Sequence, residues 1–177
     1  MLRGEKIGLR ARHDDDLPIV QRELNNDLVT AARSEGRPWQ PVAVGSKPPQ
    51  PAVDDPSTVV FSVVELERGD LIGVASVWGI DHLNRSAHLG IGLLPSSRGK
   101  GYGSDLVAVL CEFAFSVRGL QRLQVDTLAD NYGMIRAAER NGFVVEGQLR
   151  SSAWVLGEFH DQVLLGLLAS EWRQARA

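Results

Sequence analysis

The chain has 177 residues, 44% of them hydrophobic and 23% charged, with a net charge of −3. That is enough for one domain with a sizeable core, and the composition is neither that of a disordered chain nor that of a membrane protein. The lack of a basic excess argues against nucleic acid as a partner. The lone cysteine, Cys111, excludes an internal disulfide and a cysteine-rich metal site.

The opening "MLRGEKIGLRARHDDD" is charged throughout and unlike a secretory signal, so the expected compartment is the cytoplasm. "KIGLRAR" reads as a strand with Ile7 and Leu9 on one face. "HDDDLPIVQRELNNDLV" reads as one helix, with Asp14, Asp15 and Asp16 suited to its cap and Leu17, Val20, Leu24 and Leu28 forming a stripe. Residues 33–57 carry six of the eight prolines and read as a long loop over a single domain 1–177, with Trp39 as an anchor.

"STVVFSVVELERGDLIGVASVWGI" is a hairpin turning at Arg68, Gly69 and Asp70. Glu65 and Glu67 fall on one face of its first strand with Phe61 and Val63. "SAHLGIGLLP" is a strand ended by Pro95, placing His88, Gly90 and Gly92 on one face and Leu89, Ile91 and Leu93 on the other. A helix follows with Leu106, Val107, Leu110, Phe113, Ala114 and Val117 at helical spacing. Then come the strand "LQRLQVDTLA", the helix "NYGMIRAAERNG" stopped by Asn141 and Gly142, and two strands joined near Gly157. Three consecutive strands in the middle predict an α/β protein with a mixed sheet rather than a doubly wound parallel one.

Between the fourth strand and its helix stands "RGKGYG", residues 98–103. It is either a plain turn or an anion cradle. A helix N-terminus offers free N–H groups and a positive dipole end, glycines allow close approach, and Arg98 and Lys100 add charge. The spacing fits neither a P-loop nor a dinucleotide fingerprint.

The pattern Arg-x-x-Gly-x-Gly, filled by Arg98, Gly101 and Gly103, resembles that of the GNAT family of acyl-CoA-dependent N-acyltransferases. "LGIGLLPSSRGKGYGSDLVAVLCEFAF" and "LQRLQVDTLADNYGMIRAAERNGF" follow the family's order, and "EGQLRSSAWVLGEFHDQVLLGLL" resembles the branch of ribosomal-protein N-terminal acetyltransferases. The resemblance implies the GNAT fold: a mostly antiparallel sheet with a splayed central pair and helices on both faces. It implies acetyl-CoA, or another acyl-CoA, as co-substrate, with no metal. The pyrophosphate would lie on Gly99, Lys100, Gly101, Tyr102, Gly103 and Ser104 beside Arg98. The pantetheine arm would pair with Ile91, Gly92 and Leu93, and Asn131 would contact it or simply cap its helix. The acceptor would be a primary amine of a protein N-terminus or a small molecule. Family members are often dimers, and neither nucleic acid nor membrane is implied.

Direct attack of an amine on a thioester needs a proton acceptor and benefits from a donor for the leaving thiolate. The family's usual Tyr and Ser donor positions hold Ala138 and Met134 here, so Tyr132 or water is left for that part. His88, at a position where relatives carry Glu, is the first candidate for the base; a structural bond within its strand is the plainer reading. Glu65 is a second candidate, acting through water. Trp39, Trp78 and Trp154 are candidates for an acceptor wall, and Asp161 matches a position of the branch that reads as structural. A non-catalytic acyl-CoA-binding sensor or scaffold is the competing function.

Overall fold

Alternating β-branched runs form the middle of an eight-stranded mixed sheet in the computed structural model, which describes residues 1–34, 39–41 and 55–176. The strands are β1 (Leu2–Arg3), β2 (Ile7–Arg10), β3 (Val59–Glu65), β4 (Leu71–Asp81), β5 (Ser86–Leu93), β6 (Arg122–Leu128), β7 (Val144–Val155) and β8 (Glu158–Leu168). They lie in the order β1-β2-β3-β4-β5-β6-β8-β7. Every neighbouring pair is antiparallel except β5 and β6.

That parallel pair is short. It joins Ser86 to Arg122, Ala87 to Leu123 and His88 to Gln124, and no pairing continues beyond His88. Upstream of this point each strand has one neighbour on either side. Downstream, β5 stays paired to β4 and β6 to β8, so the two strands part like the arms of a V. The family's splayed central pair is present.

Cross-strand partners share a face, which sorts the helices. Phe61, paired with Ala75, meets Phe113 edge-on at 5.2 Å, so that face carries α3 (Tyr102–Glu112). With it lie α4 (Tyr132–Glu139) and α5 (Ala169–Gln174), whose residues join the main core around Leu106, Leu110, Leu123 and Leu165. On the opposite face, Val20, Leu24 and Leu94 form a smaller cluster with Leu71 and Val74. This second layer comes from α1 (Asp16–Val20), a wide π-type turn (Gln21–Asn25) and α2 (Leu28–Ser34).

Several expectations are corrected. The single helix expected across residues 13–29 breaks at Asn26, and Asp27 restarts it by accepting the Thr30 N–H at 2.9 Å. Leu28 therefore leaves the stripe and is 44% exposed. The acidic triplet makes no side-chain cap: Asp15 at the N-cap bonds nothing there, and Asp16 is buried against Arg10 and Ser62 instead. Glu67 lies beyond the end of β3, in the turn that follows Glu65. Val117 is exposed, since the π-type turn Phe113–Val117 shifts the helical period. β1 and α5 carry too little pattern to be read from sequence. Most of the proline-rich loop lies outside the described residues, but the Trp39 indole N–H donates to the Asn25 carbonyl at 2.9 Å.

Candidate active site

The turn after β5 is built by conformation rather than by space. Gly99 and Gly101 have φ of +75° and +83°, the left-handed region that costs other residues about 1–2 kcal/mol. A Cβ on Gly99 would meet nothing within 4 Å, and on Gly101 only the Lys6 ammonium at 3.7 Å. Gly101 is the N-cap of α3 and supplies no side-chain cap, so the first N–H groups of the helix face outward without carbonyl partners. The helix start is pinned from two sides. Asp105 accepts the N–H groups of Glu5, Lys6 and Ile7 at 3.0, 2.8 and 3.0 Å. The Asn141 amide donates to the Ser104 and Ala137 carbonyls at 2.9 and 2.8 Å.

Beside this turn, the edge of β5 that faces β6 has no strand partner from Leu89 to Leu93 among the described residues. Apart from the Leu93 carbonyl, which Arg98 occupies, its N–H and C=O groups are available to an extended, amide-bearing ligand, which would add to it as a strand does. Gly92 faces Leu24, whose methyl would lie 3.4 Å from an added Cβ.

At the vertex of the V stands His88. Its Nδ1 lies 2.6 Å from Asp126 Oδ2, and its ring stacks on Trp78 at 4.4 Å and 23°. The bond from His88, then that from Gln124, hold the Asp126 carboxyl below the usual carboxylate range despite partial burial. An ionised carboxylate only accepts, so Nδ1 carries the proton. In the neutral ring Nε2 is then a lone-pair base, and it has no partner among the described residues. Asp126 and Gln124 were not found by sequence reasoning, whereas Trp78, expected as an acceptor wall, stacks on His88. The alternation of "LQVDTL" puts Gln124 and Asp126 on one face, but nothing in the sequence pairs that strand with His88.

Residues 6–144 match the family model for the acetyltransferase (GNAT) domain. The chain belongs to the GNAT family. Over 110 residues this GNAT chain is 27% identical to a spermidine N(1)-acetyltransferase of Vibrio cholerae, covering 62% of the chain and 64% of that protein. Over 99 residues it is 33% identical to a ribosomal-protein-serine acetyltransferase of Escherichia coli, covering 56% and 55%. The chain thus spans less than two thirds of the length of these relatives. The crystal structure of a Vibrio cholerae spermidine N-acetyltransferase in complex with CoA and spermine superposes with a TM-score of 0.81 over 95% of this chain and 98% of that one, at 22% identity. The GNAT fold is shared along nearly the whole chain.

The remaining expected residues fall in different places of this GNAT domain. Arg98 turns away from the cradle: Nε donates to the Leu93 carbonyl at 3.1 Å and Nη2 to Thr30 Oγ1 at 3.3 Å, fastening α2 to the end of β5. Lys100 stays exposed, and Tyr102 is buried with its hydroxyl donating to Glu65. Val63, Gly73 and Leu93 are level across the sheet. Glu65 therefore stands about seven residues, roughly 23 Å, along the strands from His88. The structure does not bring the two together. Glu65, with Glu5, Lys6, Glu67, Lys100 and Tyr102, lines a cavity of about 320 Å³ bordered by the turn.

Asn131 caps α4 by accepting the Met134 N–H at 3.3 Å and donates to Thr127 Oγ1 at 2.9 Å. Tyr132, next to it, is 63% exposed. Ala138 is fully buried in the main core and Met134 packs against it. Asp161 accepts Gln148 Nε2 and the Ser151 N–H, both at 2.7 Å, across the irregular part of β7. Trp154 packs edge-on with Phe159 at the far hairpin, away from His88. Cys111 is buried, and burial pushes its thiol up to about 12, which makes it a poor nucleophile.

Proposed function

We propose that this protein transfers an acetyl group from acetyl-CoA to a primary amine by direct attack of the amine on the thioester carbonyl. One observation carries the reading. Among the described residues, the edge of β5 facing β6 has no strand partner after His88, the base candidate, and it leads from there toward the left-handed glycine turn. A ligand with a peptide-like arm and a pyrophosphate end fits that track, its thioester end nearest the vertex.

In the reaction His88 Nε2 takes the proton of the amine as the C–N bond forms, and the C–S bond breaks to release thiolate. A thiol pKa of ~8.5 makes thiolate an adequate leaving group without a dedicated acid, which accommodates Ala138 and Met134 at the family's donor positions. Tyr132, exposed beside Asn131, is assigned no further role. Nothing in these steps calls for a metal. The relatives named above act, by their names, on spermidine and on a ribosomal protein, which supports an acceptor amine on a small molecule or a protein N-terminus.

The test is thiol release from acetyl-CoA against a panel of polyamines, small amines and N-terminal peptides, with CoA affinity measured in parallel. Turnover with an amine that falls on His88→Ala, with CoA affinity unchanged, is the expected result. Tight CoA binding without turnover on the whole panel would instead identify a sensor or scaffold.

A further inference from the structure

A line of polar side chains continues behind His88. Arg122, Gln124 and Asp126 alternate on one face of β6. Arg122 pairs with Glu146 on β7, Nη1 reaching Oε1 at 2.8 Å, and its Nη2 lies 3.4 Å from Gln124 Oε1. Gln124 Nε2 donates to Asp126 Oδ1 at 2.8 Å, and Asp126 Oδ2 meets His88 Nδ1 at 2.6 Å.

The chemistry of the two ends fixes the direction of every bond between them. Arg122 has donors only, so the Gln124 oxygen must face it. The Gln124 NH₂ is thereby turned toward Asp126, which as a carboxylate has acceptors only. With one Asp126 oxygen taken by that amide, the other is left for the His88 Nδ1 proton. The side-chain exposures of 31% for His88 and 25% for Asp126 leave the pair half-sheltered, where such orientation is not washed out by water.

We propose that Asp126, itself aligned by Gln124, is a positioning residue: it holds His88 with its proton on Nδ1 and its Nε2 lone pair free for the attacking amine. The last clause rests on the amine-transfer reading; the tautomer does not. During transfer the Nδ1 proton stays between His88 and Asp126. The amine proton enters at Nε2, so the imidazolium forms beside a carboxylate and against the face of Trp78. The proton then leaves from Nε2 to the departing thiolate or to water.

The alignment makes an unusual variant pair informative. In Asp126→Asn the new amide must give its oxygen to Gln124 Nε2, so its NH₂ faces His88 and forces the proton to Nε2. In the double variant Gln124→Glu with Asp126→Asn, the new carboxylate accepts from Arg122 and from the Asn NH₂. The Asn oxygen then returns to the Nδ1 proton and the native tautomer is restored. Carboxylate and amide have simply exchanged places.

The experiment reads the ring by two-bond proton–nitrogen correlation spectra at about pH 8, above the ordinary titration of an imidazole. The His88→Gln spectrum assigns the signal among the four histidines. The expected result is Nδ1–H in the native protein, Nε2–H in Asp126→Asn, and Nδ1–H again in the double variant. Thiol-release kcat should fall about 10²-fold in the single variant and recover to within about 10-fold in the double, with CoA affinity unchanged. An Nε2–H tautomer in the native protein, an unchanged tautomer in Asp126→Asn, or no restoration in the double variant would each overturn the proposal. The native spectrum decides even if a variant fails to fold. Absence of turnover with every amine would remove the acetyltransferase reading while the spectra still judge the role of Asp126.

Discussion

Asp16 carries more of the fold's stability than its place in an acidic triplet suggests. It is 4% exposed and accepts Arg10 Nη1 and Nη2 at 2.6 and 2.8 Å, the His13 N–H at 2.8 Å and Ser62 Oγ at 2.7 Å. The Arg10 bond first, with the backbone and hydroxyl bonds, holds its carboxyl far below the usual range. A depressed folded pKa means that the unfolded chain binds the proton more readily. The stability Asp16 contributes is therefore full above about pH 4 and is lost progressively as pH falls below it. Asp16→Asn should cost about 3 kcal/mol near neutrality, since it breaks a buried pair. It should also flatten the acid limb of a Tm-against-pH curve between about pH 4 and 2.5. A variant with the native acid limb would contradict this account. At the turn, Gly101→Ala should weaken CoA binding through its left-handed φ. Gly103→Ala should be mild, because its Cβ would sit 3.6 Å from that of Ala137, an ordinary contact. Calorimetric titration of the two variants separates conformation from crowding.

Among the elements, α3 is held in place largely by groups outside it. Asp105 in its first turn gathers three N–H groups from Glu5, Lys6 and Ile7, where the chain enters β2. Charge-assisted bonds of this kind contribute more than neutral ones, and Asp105→Ala should cost on the order of 3 kcal/mol in a urea titration. Hydrogen exchange should localise the loss to the amides of residues 5–7; uniform acceleration across the sheet would argue against a local tie. The bridge from Arg33 on α2 to Asp130 at 2.6 Å is different. Its side chains are 38% and 45% exposed, so Arg33→Ala should change stability by less than about 1 kcal/mol.

For the whole molecule, the consequential feature is that β5 and β6 begin as partners and then part. The opening leaves backbone polar groups without strand partners inside the sheet, a cost that a bound ligand removes. A ligand that binds the folded state alone at 100 times its Kd adds about 2.7 kcal/mol. For a chain of this size that raises Tm by roughly 5–10 °C. CoA should produce such a shift in the native protein and none in Gly101→Val; equal shifts in both would dissociate the splay and turn from the ligand.

Local pattern determined most of what could be read in advance. Strand-like runs of alternating and β-branched residues located seven of the eight strands. Helical spacing located the two long helices, and three glycines before an apolar stripe located the turn that opens α3, because each of these signals is contained within a few consecutive residues. Tertiary structure alone decided how distant segments meet. It decided that Asp16 is a buried partner rather than a cap, that Glu65 lies far from His88, and that Arg98 fastens a helix rather than facing the turn. Above all it set Asp126 against His88, across 38 residues of sequence and a parallel pairing only three residues long. Alternation says which face a side chain occupies but not which strand lies beside it. Strand order is set by how the helices bury the two faces of the sheet, and that is where the candidate base acquired its partner.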